Sequence, residues 1–272
     1  MIILEQSPTD FKFVQNPYSF YESVRRLPQP VFWRYYNMVS FFDHQSVMSL
    51  LKDRRFGRVC PIDLAQPTPD HLAPFYKLEA NSMLELEPPR HTRLRGIVLR
   101  AFTSRRIASL KPEITQLCHS LIDEIKTTEF DLLKAYGKPL PVIIIARLLG
   151  VPESMADDLL RWSNDMVMMY QARRSKTMET RAVAASQAFS DFMRSYIEER
   201  RTRPADDLIT HLIAAEEDGQ RLTTDEMIST CILLLNAGHE ATVHTLGNGV
   251  KTLLETSTPA SCLMPEHIDN TV

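Results

Sequence analysis

The spacing of apolar side chains predicts a chain that starts mixed and then becomes helical. Residues 14–26 open with Val14-Gln15-Asn16-Pro17 and continue as aromatic and charged positions suited to a short helix, ended by Pro28 and Pro30. Between Pro30 and Phe42, the run Val31, Phe32, Trp33, Tyr35, Tyr36, Val39, Phe41 and Phe42 has the composition of a hairpin turning at Asn37. A helix is expected from His44 to Lys52, with Val47, Leu50 and Leu51 facing inward. Residues 57–82, with Gly57 and prolines 61, 67, 69 and 74, read as a long surface loop with short helical turns. A loop of that length is either a binding segment or lid, or a variable surface excursion.

From Pro89 onward, apolar residues recur at spacings of three and four, predicting helices near 90–100, 105–126, 139–149, 155–170 and 177–201. Pro139 and Pro141 set off the Val142–Leu149 run, and Gly150 and Pro152 stop it. Pro204 separates the long charged helix from one near Asp207–Glu217, Asp218-Gly219 makes a turn, and a short strand-turn surrounds Leu222. Thr223 and Glu226 form a capping box for a last helix that can run to Glu255, roughly 48 Å at 1.5 Å per residue. Between Ile228 and Val250 the one formally charged residue is Glu240, which predicts burial on nearly all sides. Asn236, His239, Glu240, Thr242, His244 and Asn248 argue against a lipid-spanning segment.

Composition narrows the function classes. The 272 residues suffice for one large domain or two small ones. A formal charge of -3 gives no support to a nucleic-acid or anionic-membrane partner. The start of the chain, polar through Tyr18, has neither the apolar core of a signal peptide nor the length of a membrane anchor. The cysteines at 60, 118, 231 and 262 form no C-x-x-C pair, so the expectation is a cytoplasmic protein without a disulfide framework.

Two constellations carry candidate chemistry. The first is Ala237-Gly238-His239-Glu240-Ala241-Thr242, in the middle of the long helix. Gly238 costs about 1 kcal/mol of helix propensity relative to alanine. It either lets a flat ligand or a widened turn approach the backbone, or serves a close helix crossing. Glu240 is either a proton-relay carboxylate or sits at a wet helix end, because a buried carboxylate needs a partner or water. Thr242 can hydrogen-bond back to a carbonyl four residues earlier. The second is Glu87-Pro88-Pro89-Arg90-His91-Thr92-Arg93-Leu94-Arg95, where His91 and Arg95 share a helix face. They either grip the carboxylates of an anionic cofactor or join a surface salt-bridge cluster with Glu85 and Glu87. No H-E-x-x-H, G-x-S-x-G, phosphate loop or EF-hand pattern occurs in the sequence.

His91-Thr92-Arg93-Leu94-Arg95 followed by Ala101-Phe102-Thr103 resembles the C-helix signature of bacterial cytochromes P450. Leu233–Thr242 resembles the family's central I-helix. Pro139-Leu140-Pro141-Val142 with Leu148-Leu149-Gly150-Val151-Pro152, and Ala214-Ala215-Glu216-Glu217-Asp218-Gly219, are similar to further segments. The resemblance implies a mainly α fold, a helical prism with a small β-rich side, as a single partial domain over 1–272, incomplete at its C-terminus. It implies a haem-thiolate monooxygenase that inserts oxygen into a small hydrophobic organic substrate, with a ferredoxin or flavoprotein as electron donor.

By the same resemblance, His91 and Arg95 would meet the propionates of haem b (heme b), with Ala237 and Gly238 against the macrocycle. Glu240 would help deliver protons, and Ala241 occupies the usual position of the oxygen-site threonine, with Thr242 one residue further along. Met83 in the 75–86 loop, the Met166–Tyr170 segment and Leu234, Ala237, Gly238 and Ala241 would line the substrate pocket. The family's E-x-x-R pair and cysteine loop do not occur in this sequence, and residues 264–272 resemble the approach to them. None of the four cysteines stands in the ligand's context, so no metal ligand is expected from this chain. Haem would then bind when a C-terminal region completes the site, from a complementary chain, or the open side would be buried by self-association. The alternative is a truncated, haem-free scaffold acting as a binding or interaction protein.

Overall fold

The computed structural model describes residues 1–102, 104–171, 173–216 and 219–268. Thr103, Glu217, Asp218 and 269–272, which figured in the motifs above, lie outside them. Two compact units, Met1–Ile62 and Asp63–Val272, follow one another along the chain.

The first unit holds a three-stranded sheet in the order β1 (Ile3–Leu4), β2 (Val31–Trp33), β3 (Met38–Ser40). β2 and β3 pair antiparallel, Val31 with Ser40 and Trp33 with Met38, as the hairpin pattern predicts. Asn37 takes the left-handed turn position with φ 52°, which asparagine tolerates better than most residues. β1 pairs parallel with β2 and was not legible in two residues of sequence. The expected 14–26 helix is instead two, α1 (Phe11–Gln15) and α2 (Tyr18–Arg25), because Asp10 caps the first and Pro17 cannot continue it. Val31, Trp33, Leu4 and Val24 form this unit's core, with Phe13, Phe20, Tyr21 and Phe42 packed against it. α3 (His44–Lys52) has the expected bounds, but Leu51 is exposed while Val47 and Leu50 are half-buried.

The second unit is helical. α4 (Ala73–Glu79) corrects the loop expected over 57–82: Leu72, Phe75 and Leu78 are buried in the main core. Its Pro74 sits in the first turn, where proline's missing N–H costs nothing. Then come α5 (Arg90–Ala101), α6 (Ser104–Ser109) and α7 (Lys111–Asp123). The helix expected over 105–126 divides at Leu110 because Pro112 opens a new first turn. A π turn (Leu133–Gly137) leads into α8 (Pro139–Leu149), which Gly150 ends in the left-handed conformation, φ 86°. α9 (Ala156–Val167), α10 (Lys176–Thr202), α11 (Leu208–Ala214) and α12 (Thr224–Glu255) follow.

α12 has the predicted 224–255 bounds and the predicted capping box. Its first half is enclosed by α4, α8, α9 and α10, and Ser229 Oγ donates to the Leu78 carbonyl at 2.7 Å. Leu94, Ile97, Leu149, Leu159, Phe189, Met193 and Ile197 are enclosed in the same core as its own Ile232 and Leu235. No described helix is long and apolar enough to cross a membrane.

Candidate functional site

The low charge of α12 does not mean burial throughout. Glu226–Ile232, Leu235, Asn236, His239 and Val243 are buried, but Ala237, Glu240, Ala241, His244 and Asn248 are exposed. Their spacing of three and four puts them on one face, an open stripe that no described element covers. The polar residues of the helix centre therefore divide, Glu240 outward and His239 inward. The Glu240 side chain is 51% exposed, with Oε1 3.9 Å from His244 Nε2, so its carboxylate keeps its water.

Two backbone details fix this stretch. An added Cβ at Gly238 would lie 2.8 Å from Ile145 Cδ1, so the glycine lets α12 cross α8 closely. Of the two roles open to Gly238, the crossing is the one its surroundings require. Thr242 Oγ1 donates to the Gly238 carbonyl at 2.7 Å, the back-bond expected of it. Its hydroxyl is thereby engaged with the helix, and the position before it is Ala241.

On α5, the four cations at 90, 91, 93 and 95 divide in a similar way. Arg93 is mostly buried and pairs with Glu226, whose other oxygen accepts from the Thr223 N–H at 3.0 Å. Arg90 donates to Asn81 Oδ1 at 3.4 Å. His91, half-buried, and Arg95, exposed, make no side-chain hydrogen bond or ion pair among the described residues. The two members of the pattern that share a face are thus the two whose donors are uncommitted.

The remaining candidates scatter. Met83 and Leu234 are half-buried against the main core. Met166 is fully enclosed in that core, so it lines no open space in this structure. Tyr170 is exposed, and its hydroxyl donates to Oε2 of the buried Glu79 at 2.9 Å. Glu79 was missed in the sequence, where it lay in a segment read as loop. Cys231 is enclosed in the core, and burial pushes its thiol up to about 12. It is a neutral thiol rather than a thiolate ligand. Cys118 is half-buried beside Tyr136, whose hydroxyl is raised to about 12 by burial and the Cys118 contact.

Residues 11–258 match the family model of cytochrome P450. The chain belongs to the cytochrome P450 family. It is 43% identical over 173 residues to cytochrome P450 107B1 of Saccharopolyspora erythraea, covering 63% of this chain and 41% of that protein. It is 33% identical over 257 residues to the polyketide biosynthesis cytochrome P450 PksS of Bacillus subtilis, covering 91% and 62%. The solved structure of P450BioI in complex with hexadec-9Z-enoic acid ligated acyl carrier protein matches with TM-score 0.82 and 28% identity, covering 93% and 64%. The chain thus spans less than two thirds of the length of these relatives.

The family's prosthetic group is haem, and the residues present fit part of its surroundings. Uncommitted cationic donors at His91 and Arg95 suit its carboxylates, and Ala237 and Ala241 place two small side chains in the open stripe of α12. Cys231, enclosed in the core as a neutral thiol, does not suit its iron.

Proposed function

We propose that this chain supplies the propionate-binding and oxygen-side elements of a haem-thiolate monooxygenase acting on a small apolar substrate. The observation that carries the reading is the uncommitted pair His91 and Arg95 in a basic run whose other arginines, 90 and 93, have protein partners. When bound, haem supplies the redox and oxygen chemistry that amino acids lack. Arg95 grips a carboxylate through two N–H donors, and His91 adds a third from the same face. Ala237 and Ala241 admit a flat group against α12. Glu240, half in solvent, takes protons from water and presents them at its carboxyl oxygens, with His244 as a neighbouring reserve. With alanine at 241 and the Thr242 hydroxyl bonded to Gly238, the remaining hydroxyl for that proton comes from water or from the substrate.

The apolar character of the substrate is supported by Met83 and Leu234, and by the fatty acyl group held in the P450BioI structure. Electrons come from a ferredoxin or flavoprotein donor. Titration of the chain with haem, read by its visible absorbance, tests the reading. Arg95→Ala should weaken haem affinity by roughly tenfold to a hundredfold, the worth of charge-assisted hydrogen bonds at about 1.5–3 kcal/mol. Unchanged affinity in that variant overturns the assignment.

A further inference from the structure

The inward side of α12 carries polar groups in a packed seam. His239 is 4% exposed, and neither Nδ1 nor Nε2 has a hydrogen-bond partner. Asn236, one turn earlier on the same side, is 8% exposed, and its Oδ1 also lacks one. One turn later, Val243 Cγ1 lies 3.9 Å from the Cβ position of Gly137, and an added Cβ at Gly247 would meet Leu133 at 2.8 Å. The Cβ position of Gly238, between Asn236 and His239, lies 2.8 Å from Ile145 Cδ1, so α12 rests on α8 beside His239 and on the π turn from Val243 onward.

Buried polar atoms without partners cost their full desolvation, so neighbouring ones in one seam call for a ligand. We infer that His239 and Asn236 form an internal hydration site on the inward side of α12. The ligand chemistry follows from the groups. Oδ1 of Asn236 only accepts, which excludes an anion. Lys138, whose charge disfavours a second cation at His239, opposes a metal ion as well. Water meets both conditions: it donates to Asn236 Oδ1 and joins a ring nitrogen of His239 as donor or acceptor, whichever the tautomer requires. Two to four polar contacts per molecule are what buried waters ordinarily have. Hydrated in this way, the pair pins the turn of α12 that carries Ala237, Glu240 and Ala241. The inference needs no cofactor and stands apart from the proposed activity.

A double-mutant cycle on the full chain tests it, with Asn236→Leu, His239→Leu and the pair compared by urea unfolding. With shared water, each single variant strands the other's partner, and the folding equilibrium constant falls roughly tenfold. The double variant then loses less than the product of the two. Single variants as stable as the parent or more so, with multiplicative effects, would mean dry, unpartnered atoms and overturn the inference. Should the variants not fold, water-to-imidazole cross-relaxation in the unaltered chain, labelled with ¹⁵N-histidine, decides. Long-lived water at the His239 ring supports the site, and its absence overturns it.

Discussion

At Gly150 the chain turns with φ 86°, and an added Cβ would fall 2.2 Å from Asp207 Oδ2. Asp207 has no room to retreat, because it caps α11 through the Thr210 N–H at 2.8 Å and accepts from Arg200 Nε at 2.5 Å. Arg200 and the Tyr196 hydroxyl both donate to the Gly150 carbonyl, at 3.0 and 2.5 Å. One glycine thus joins the ends of α8, α10 and α11. Gly219 is the natural comparison, with φ 75° and nothing within 4 Å of an added Cβ. Gly219→Ala should cost only the left-handed backbone penalty, about 1–2 kcal/mol. Gly150→Ala should cost at least about 2 kcal/mol more, since an ion pair and a helix cap must shift together. Denaturant unfolding of the two variants checks this, and equal losses would deny the Asp207 contact its weight. The glycine was readable in the sequence as a helix stop. Its second role was not, because Asp207 lies 57 positions further along the chain.

α12 shows which features of an element are local and which are not. Its start was legible because a capping box is written within four residues, and both reciprocal bonds are present at Thr223 and Glu226. Its length was legible from the apolar run. The open stripe was not, since composition alone cannot tell a helix buried all round from one whose uncovered face carries a single formal charge. Nor was the link from Glu226 to Arg93, 133 residues apart. That contact gives Glu226 two tasks, capping α12 and neutralising a mostly buried guanidinium on α5. Glu226→Ala should therefore lose about 3 kcal/mol or more, the range for stranding one member of a buried pair. Glu226→Gln keeps a cap acceptor and a hydrogen-bond partner, and should lose only about 1–2 kcal/mol. Equal losses in urea unfolding would show that Arg93 gains nothing from the charge.

Across the whole molecule, the titratable groups that tie stability to pH below neutrality divide into two ranges. Asp43, Asp53 and Glu179 are held below their usual values by hydrogen bonds from Ser46, Arg55 and His71 respectively. Their contribution is full near neutrality and fades only as pH falls below about 4.5. His239 acts at higher pH. Burial lowers its basicity first, and the positive charges of Lys138 and His244 lower it further. Its folded value thus lies below the 6.5 of a free imidazole. The unfolded chain then binds the proton before the folded one does, so the stability tied to neutral His239 is complete above pH 6.5. It declines as pH falls through the folded value, with a slope of at most about 1.4 kcal/mol per pH unit for one proton. The expected outcome is a thermal midpoint that drops between pH 7.5 and 5, followed by circular dichroism at 222 nm. In His239→Phe that drop should be smaller, while the steeper loss below pH 4.5 should remain because it belongs to the carboxylates. Lys138→Met should shift the midpoint of the His239 step upward, since it removes one of the charges opposing protonation. A pH dependence between 7.5 and 5 that is identical in the parent and in His239→Phe would show that the buried imidazole does not govern acid sensitivity.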